Sequence, residues 1–160
     1  MDRRSIVRAV AGLCCAMPPI AAVGFTEAQV QAEKAATAAR ARTKIPLVAY
    51  HLSDLDKVDF VFGNIHNHYA GMGGPDHVMI ELVVHGPALK AFHRADAAPD
   101  VAKRLEELRG LGLAYRACIN TMRAQNVTVD DLLPGFAIAD KGGVVRLAEL
   151  QSQGYAYLRP

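Results

Sequence analysis

From Ile45 onward the chain alternates short, nearly continuous apolar runs with stretches of helical period, and this restricts the fold more than any other feature. LVAYHL (47–52), HVMIELVVH (77–85) and LAYRACI (113–119) read as strands covered on both faces, the kind found in parallel sheets. Ser53 and Asp54 offer a helix cap, and Val58, Val61, Phe62, Ile65 and Tyr69 then fall on one helical face. GMGGPD (71–76) breaks that helix. PDVAKRLEELRGLG (99–112) is amphipathic, with proline at its start, glycine at its end and Val101, Leu105 and Leu108 as its inner stripe. NTMRAQN, behind the third run, predicts a helical turn. FAIA (136–139), GVVRLAELQSQ (143–153) and YAYL (155–158) complete the series as strand, helix and strand. The expected fold is α/β, a three-layer sandwich around a mostly parallel sheet of about five strands.

The first 24 residues follow a different logic. A basic start, an apolar stretch and small residues before Gly24 are the order of a secretory signal peptide. The Arg3-Arg4 pair, with Ile6 and Val7 close behind, points to the twin-arginine route, an ordinary secretory signal being the alternative. Bulky Leu13 before Cys14 speaks against a lipoprotein anchor. Residues 25–44 are rich in alanine and charge without a sustained apolar stripe, and read as a linker or solvated helix ahead of a domain at 45–160. After Phe25 no stretch is apolar for long enough to span a bilayer, so the expected product is exported, periplasmic and soluble, with no membrane anchor after cleavage.

The full chain carries 18 basic and 16 acidic residues; without Arg3, Arg4, Arg8 and Asp2 the balance is 15 against 15. A neutral domain gives no electrostatic case for nucleic acid or an anionic membrane. No nucleotide fingerprint, GxSxG elbow or HExxH pair is present, and GMGGPD stands in the wrong order for a phosphate cradle, so no cofactor is implied. His66 and His68, two apart on a helix, point in different directions and read as surface or interface residues.

Ligands of open parallel sheets bind beyond the carboxyl ends of the strands. Those ends carry His51 with Ser53, His85 with Gly86, and Cys118 with Asn120, so two imidazoles and a thiol share one rim if the strand register holds. With Cys14 and Cys15 in the leader, Cys118 is the single thiol of the mature domain. It stands where a strand gives way to a helix, whose free amides lower a thiol pKa, and a protonated histidine nearby would act in the same direction. Free cysteines are also common as small core residues, and an intersubunit bridge is a third reading. Zinc accepts imidazole and thiolate together, but the short ligand spacing and fourth ligand of such a site are missing, so no metal is assigned.

Taken in order, YHLSDLDKVDFVFGNIHNHYAG, IELVVHGPALKAF, LAYRACINTMRAQNV and LLPGFAIADKGGVVRLAELQSQGYAYLRP resemble the DsrE/DsrF-like family across about residues 45–160. The resemblance implies a small α/β fold and assembly as a homotrimer or hexamer. Several members carry persulfide sulfur on a cysteine after the third strand, the position of Cys118, and exchange it with donor and acceptor proteins. In this chain Asn120 and Thr121 follow the cysteine, where cytoplasmic relay members have small apolar residues. The expectation is a sulfur-handling protein with Cys118 as acceptor, His51 or His85 tuning its charge and Asn120 donating a hydrogen bond to bound sulfur. The alternative is a non-catalytic oligomeric module that binds a small ligand or a metal.

Overall fold

The computed structural model describes residues 26–32, 34 and 45–160. The export signal read in residues 1–24 lies outside the described residues. The chain divides into two compact units, Met1–Arg40 and Ala41–Pro160. In the first, residues 27–32 and 34 are helical. Thr26 and Gln29 cap that helix reciprocally: Gln29 Oε1 accepts the Thr26 amide at 2.9 Å, and the Thr26 hydroxyl accepts the Gln29 amide at 3.3 Å.

The second unit is a five-strand sheet with helices on both faces. In chain order it runs β1 (Leu47–Leu52), α1 (Val58–Gly71), β2 (Met79–Val84), α2 (Pro99–Gly110), β3 (Ala114–Cys118), α3 (Ile119–Ala124), β4 (Ala137–Ala139), α4 (Gly143–Ser152) and β5 (Ala156–Leu158). The strand order is β4-β3-β2-β1-β5, and every pairing is parallel. From β1 to β4 the chain steps steadily to one side, so right-handed crossovers place α1, α2 and α3 on one face. The return from β4 to β5 runs the other way and carries α4 over the opposite face, across β1, β2 and β3.

The two faces are unequal because one receives three helices and the other only α4. Val48, Tyr50 and Leu52 of β1, Ile80, Leu82 and Val84 of β2, and Tyr115 and Ala117 of β3 join the large core with Val61, Phe62, Ile65 and Leu105. Phe92, Phe136 and Tyr115 meet edge to face there, with centroids 5.3 and 4.7 Å apart. The alternate residues Ala49 and Val83 form a smaller cluster with Leu147 and Leu150 of α4. Successive strand side chains point to opposite faces. The same period therefore puts His51, Glu81, His85, Arg116 and Cys118 on the α4 side.

Some local expectations change. Asp54 does not cap a helix with its side chain; a short 3-10 turn, Leu55–Lys57, intervenes, and the Asp54 carboxylate pairs with Arg159 instead. His77 belongs to a 3-10 turn opened by Pro75, so β2 starts at Met79. A 3-10 helix, Gly86–Phe92, follows β2 and buries Ala88, Leu89 and Phe92. His66 is exposed, whereas His68 Nδ1 lies 3.0 Å from the hydroxyl of buried Tyr50 and satisfies it. Among the described residues no helix is long and apolar enough to cross a membrane.

Candidate functional site

Cys118 closes β3 and is at once the N-cap residue of α3, buried at 6% exposure. Burial alone pushes the thiol up. The nearby Gly143 and Thr121 amides, the Thr121 hydroxyl and the Asn120 amide outweigh it and hold the thiol below its ordinary value, although the thiol makes no side-chain cap hydrogen bond. Asn120 and Thr121 are the second and third residues of α3, so the sulfur stands where an N-cap side chain receives orphan amides. Gly143, the first residue of α4, approaches from across the sheet face. Cys118 thus collects donors from two helix starts, and no imidazole contributes to its shift.

Thr121 ties this cradle to the neighbouring strand end. Its hydroxyl oxygen accepts the Gly86 amide at 2.9 Å, and the same hydroxyl helps to lower the thiol pKa. Gln125 Nε2 donates to the Gly86 carbonyl at 3.0 Å, so side chains of α3 and of its C-cap hold both backbone polar groups of Gly86. The Asn120 side chain is exposed and packs beside Gly142; a Cβ at Gly142 would come within 2.9 Å of Asn120 Nδ2, on a backbone with φ +101°. At Gly143 a Cβ would lie 3.2 Å from the Cys118 Cβ and 3.3 Å from the His85 Cβ. Those contacts are with atoms fixed to the backbone. The missing side chain is what lets α4 bring its amide to the sulfur, with Cys118 and His85 as neighbours across the gap.

His51 and His85 meet each other directly. The His85 amide bonds the Leu52 carbonyl at 3.0 Å, which holds the two strand ends level. The Nε2 atoms of the two rings are hydrogen-bonded. The rings are inclined by 21°, with centroids 4.6 Å apart. A face-to-face stack keeps ring atoms about a van der Waals thickness apart, so the imidazoles meet edge to edge and nearly coplanar, as an N–H···N bond requires. His51 Nδ1 lies 2.6 Å from the Tyr157 hydroxyl on β5. Burial, the facing His85 and the Arg159 guanidinium depress His51 to about 4, against a smaller upward pull from Asp54. His85 is lowered by burial and Arg159, again with Asp54 opposing. Both rings are therefore neutral at neutral pH and lend the thiolate no positive charge.

Deeper on the same face, Glu81 is a carboxylate at 5% exposure between two guanidinium groups. It accepts from Arg116 Nε at 2.9 Å and from Arg146 Nε and Nη2 at 2.7 and 2.6 Å. Arg146 lies one turn into α4, so this pair fixes the helix whose first amide reaches Cys118. A cleft of about 170 Å³ opens beside it, lined by Arg116, Gly142 and Arg146 among others. A larger one, about 520 Å³, lies between α1 and α2 around Phe62, Arg104 and Leu108, on the other side of the sheet from Cys118.

A family model for the DsrE/DsrF-like family matches residues 22–160. The chain belongs to the DsrE/DsrF-like family. Among solved structures, the DsrE/DsrF-like chain is similar to a protein of unknown function, MTH1491, from Methanobacterium thermoautotrophicum, with 31% identity and a TM-score of 0.64. That match covers 72% of this chain and 99% of the other. The ychN protein from E. coli shares the fold at 16% identity and a TM-score of 0.56, over 73% of this chain and 100% of its own. No curated protein matches the chain.

Within this family member, then, the structure brings His51 to His85 and sets His85 beside Cys118 across Gly143, while Asn120 serves the sulfur through its backbone. Thr121, Gly143, Tyr157 and Glu81 join the site without a sequence motif that marks them. Gly142-Gly143 ahead of a helical period is the one visible signal, since adjacent glycines at a helix start mark close backbone approach.

Proposed function

We propose that this protein is an exported, periplasmic sulfur carrier that holds sulfane sulfur as a persulfide on Cys118. The observation that carries the reading is the position of Cys118 at the end of β3 and the start of α3, among polar donors of Asn120, Thr121 and Gly143 that favour a sulfur anion, in a DsrE/DsrF-like fold. The Cys118 thiolate attacks the outer sulfur of a donor persulfide, R–S–SH. A new S–S bond forms as the donor's S–S bond breaks, and the donor leaves as a thiolate that takes up the outer proton. Atoms and charge balance with no external oxidant. The same donors then hold the anionic Cys118–S–S⁻ in place of the thiolate.

Cys118 is the free cysteine among the described residues, and a carrier needs no resolving partner, unlike an internal redox disulfide. The leader at residues 1–24 supports export, which N-terminal sequencing of the mature protein from a periplasmic fraction checks. Assembly as a homotrimer or hexamer is part of the reading, supported by the exposed Val144 and Val145 of α4 and the exposed edge strand β5. Light scattering tests it. The central experiment is mass spectrometry of mature protein incubated with a sulfane donor. One added sulfur at Cys118, absent from Cys118→Ser, is expected; no gain in the native protein overturns the proposal.

A further inference from the structure

Two imidazoles in line with a hydroxyl remain once the surroundings of the Cys118 sulfur are accounted for. The donors that lower the thiol belong to Asn120, Thr121 and Gly143, and no imidazole is among them. His51 Nδ1 bonds the Tyr157 hydroxyl at 2.6 Å, and His51 Nε2 bonds His85 Nε2 with the rings nearly in one plane. The line ends at His85 Nδ1, which has no bonding partner among the described residues. Every buried side-chain nitrogen and oxygen among them is hydrogen-bonded, so this unpartnered nitrogen of half-buried His85 is open to solvent. The Cδ2 edge of the same ring faces the start of α4, 3.4 Å from the point a Gly143 Cβ would occupy, and that point is 3.2 Å from the Cys118 Cβ. His85 Nδ1 therefore opens at the rim beside the thiol. Tyr157, exposed on the edge strand, stands at the other end of the line.

A neutral imidazole carries one N–H and one lone pair, and passes a proton on by gaining one at one nitrogen and losing one at the other. In a line of such rings the hydrogen bonds all run one way or all the other. With Tyr157 donating inward, His51 holds its proton on Nε2 and His85 holds its own on Nδ1. With the line reversed, Tyr157 accepts from His51 Nδ1–H, His51 Nε2 accepts from His85 Nε2–H, and His85 Nδ1 presents a lone pair. Moving between these two states carries one proton from end to end and leaves both rings uncharged. The geometry points to Tyr157, His51 and His85 as a proton relay between water at the β5 edge and the outer sulfur carried on Cys118. Burial and Arg159 favour the uncharged rings that such a relay needs, with Asp54 opposing in part.

This role rests on the persulfide reading of Cys118 and gives the persulfide proton a path. Cys118 is buried, so a second sulfur, about 2 Å further out along an S–S bond, stands towards the rim where His85 Nδ1 opens. On loading, the outer S–H of R–S–SH gives its proton to His85 Nδ1. His85 Nε2–H passes its proton to His51 Nε2, His51 Nδ1–H to the Tyr157 oxygen, and the Tyr157 hydroxyl to water, from which the departing donor thiolate takes one up. On release the line runs backwards, and His85 Nδ1–H returns a proton to Cys118–S–S⁻. The resulting Cys118–S–SH is attacked at its outer sulfur by an acceptor thiolate, R′–S⁻, giving R′–S–SH and the Cys118 thiolate. Tyr157 recovers its proton from water, and no oxidant enters either step.

The test is the rate at which mature protein takes sulfur from glutathione persulfide, followed by mass spectrometry of quenched samples. Wild type should gain one sulfur at Cys118. His85→Gln, whose amide hydrogen-bonds but does not pass a proton on, should reach the same end point about a hundredfold more slowly, the usual share of general acid–base catalysis. Free imidazole should restore much of that rate. His51→Gln and Tyr157→Phe cut the path further out and should slow loading less. Alkylation of Cys118 by iodoacetamide takes no proton from the reagent, so it should keep its wild-type rate in all three variants, whereas a structural disturbance around the sulfur would change it. In wild type labelled at histidine with the heavy nitrogen isotope, a scalar coupling between the two Nε2 atoms should report the bond that the proton crosses. Circular dichroism confirms that each variant is folded. Loading of His85→Gln at the wild-type rate, a slow variant that imidazole does not rescue, a matching fall in alkylation, or absence of the coupling overturns the relay and leaves the sulfur carrier standing. A wild type that gains no sulfur overturns the carrier, and the relay with it.

Discussion

Replacing Glu81 by alanine should both destabilise the domain and disturb a thiol to which Glu81 itself makes no hydrogen bond. The carboxylate accepts three N–H bonds, two of them from Arg146 as a fork at 2.7 and 2.6 Å, and it is the counter-charge for both Arg146 and Arg116. Removing one partner of a buried pair costs about 3–5 kcal/mol, because a desolvated charge is left behind. Arg146 is 20% exposed and Arg116 34%, so water takes up part of that burden, for Arg116 above all. A loss of about 3 kcal/mol is the working figure, equivalent to roughly 10 °C in Tm for a domain of this size. Glu81→Gln keeps the shape and one good acceptor, and should lose about half as much. Urea denaturation gives the midpoints, and a cycle with Arg146→Met should show the double variant well short of the sum of the singles. Because Arg146 anchors α4 near Gly143, the Gly143 amide should move off the sulfur in Glu81→Ala and the Cys118 thiol pKa should rise. Stability within about 0.5 kcal/mol of wild type would refute the reasoning, since that is the effect of an ordinary surface change.

Other expectations are narrower. Thr121→Val keeps the side-chain shape but removes the hydroxyl that serves both the sulfur and the Gly86 amide. Alkylation of Cys118 by iodoacetamide at pH 7 should slow roughly tenfold, the value of one hydrogen bond to a charged group, and the pH midpoint of that reaction should shift upward. His51 makes stability pH-dependent with a definite sign. Its ring protonates near 6.5 when unfolded but only at about 4 when folded, so between those values the unfolded chain holds the extra proton. The stabilisation is fully present above pH 6.5 and is lost as pH falls towards 4; His85 acts in the same direction. Denaturation at pH 7.5 and 4.5, with metal ions chelated, should show a smaller pH effect in His51→Gln than in wild type.

Much of the fold is legible in the order of apolar runs alone. Leu47–Leu52, Pro99–Gly110 and Gly143–Ser152 lie where apolar period and Pro/Gly punctuation put them, because an element covered by others must be apolar at a spacing set by its own geometry. The rim that carries His51, His85 and Cys118 is legible for the same reason, since strand ends and side-chain alternation are local properties. Asp54 has the local pattern of a cap and does not act as one, because its carboxylate has a stronger partner in Arg159, 105 residues away.

The chain by itself determined that an α/β sheet forms, that a single thiol stands at the end of β3 and at the start of a helix, and that two histidines end the neighbouring strands. Which groups surround that thiol was left to the tertiary structure. The return of α4 across the second face brings Gly143 to Cys118, Arg146 to Glu81 and, through β5, Tyr157 to His51, contacts between residues 25 to 106 positions apart. A local pattern reports which way a side chain points, but its partners depend on the path of the crossover, and a pair's distance along the chain carries no signal of its distance in space. That is also why the thiol's acidity comes from backbone amides and one hydroxyl, which any sequence possesses, while the histidines beside it stay neutral.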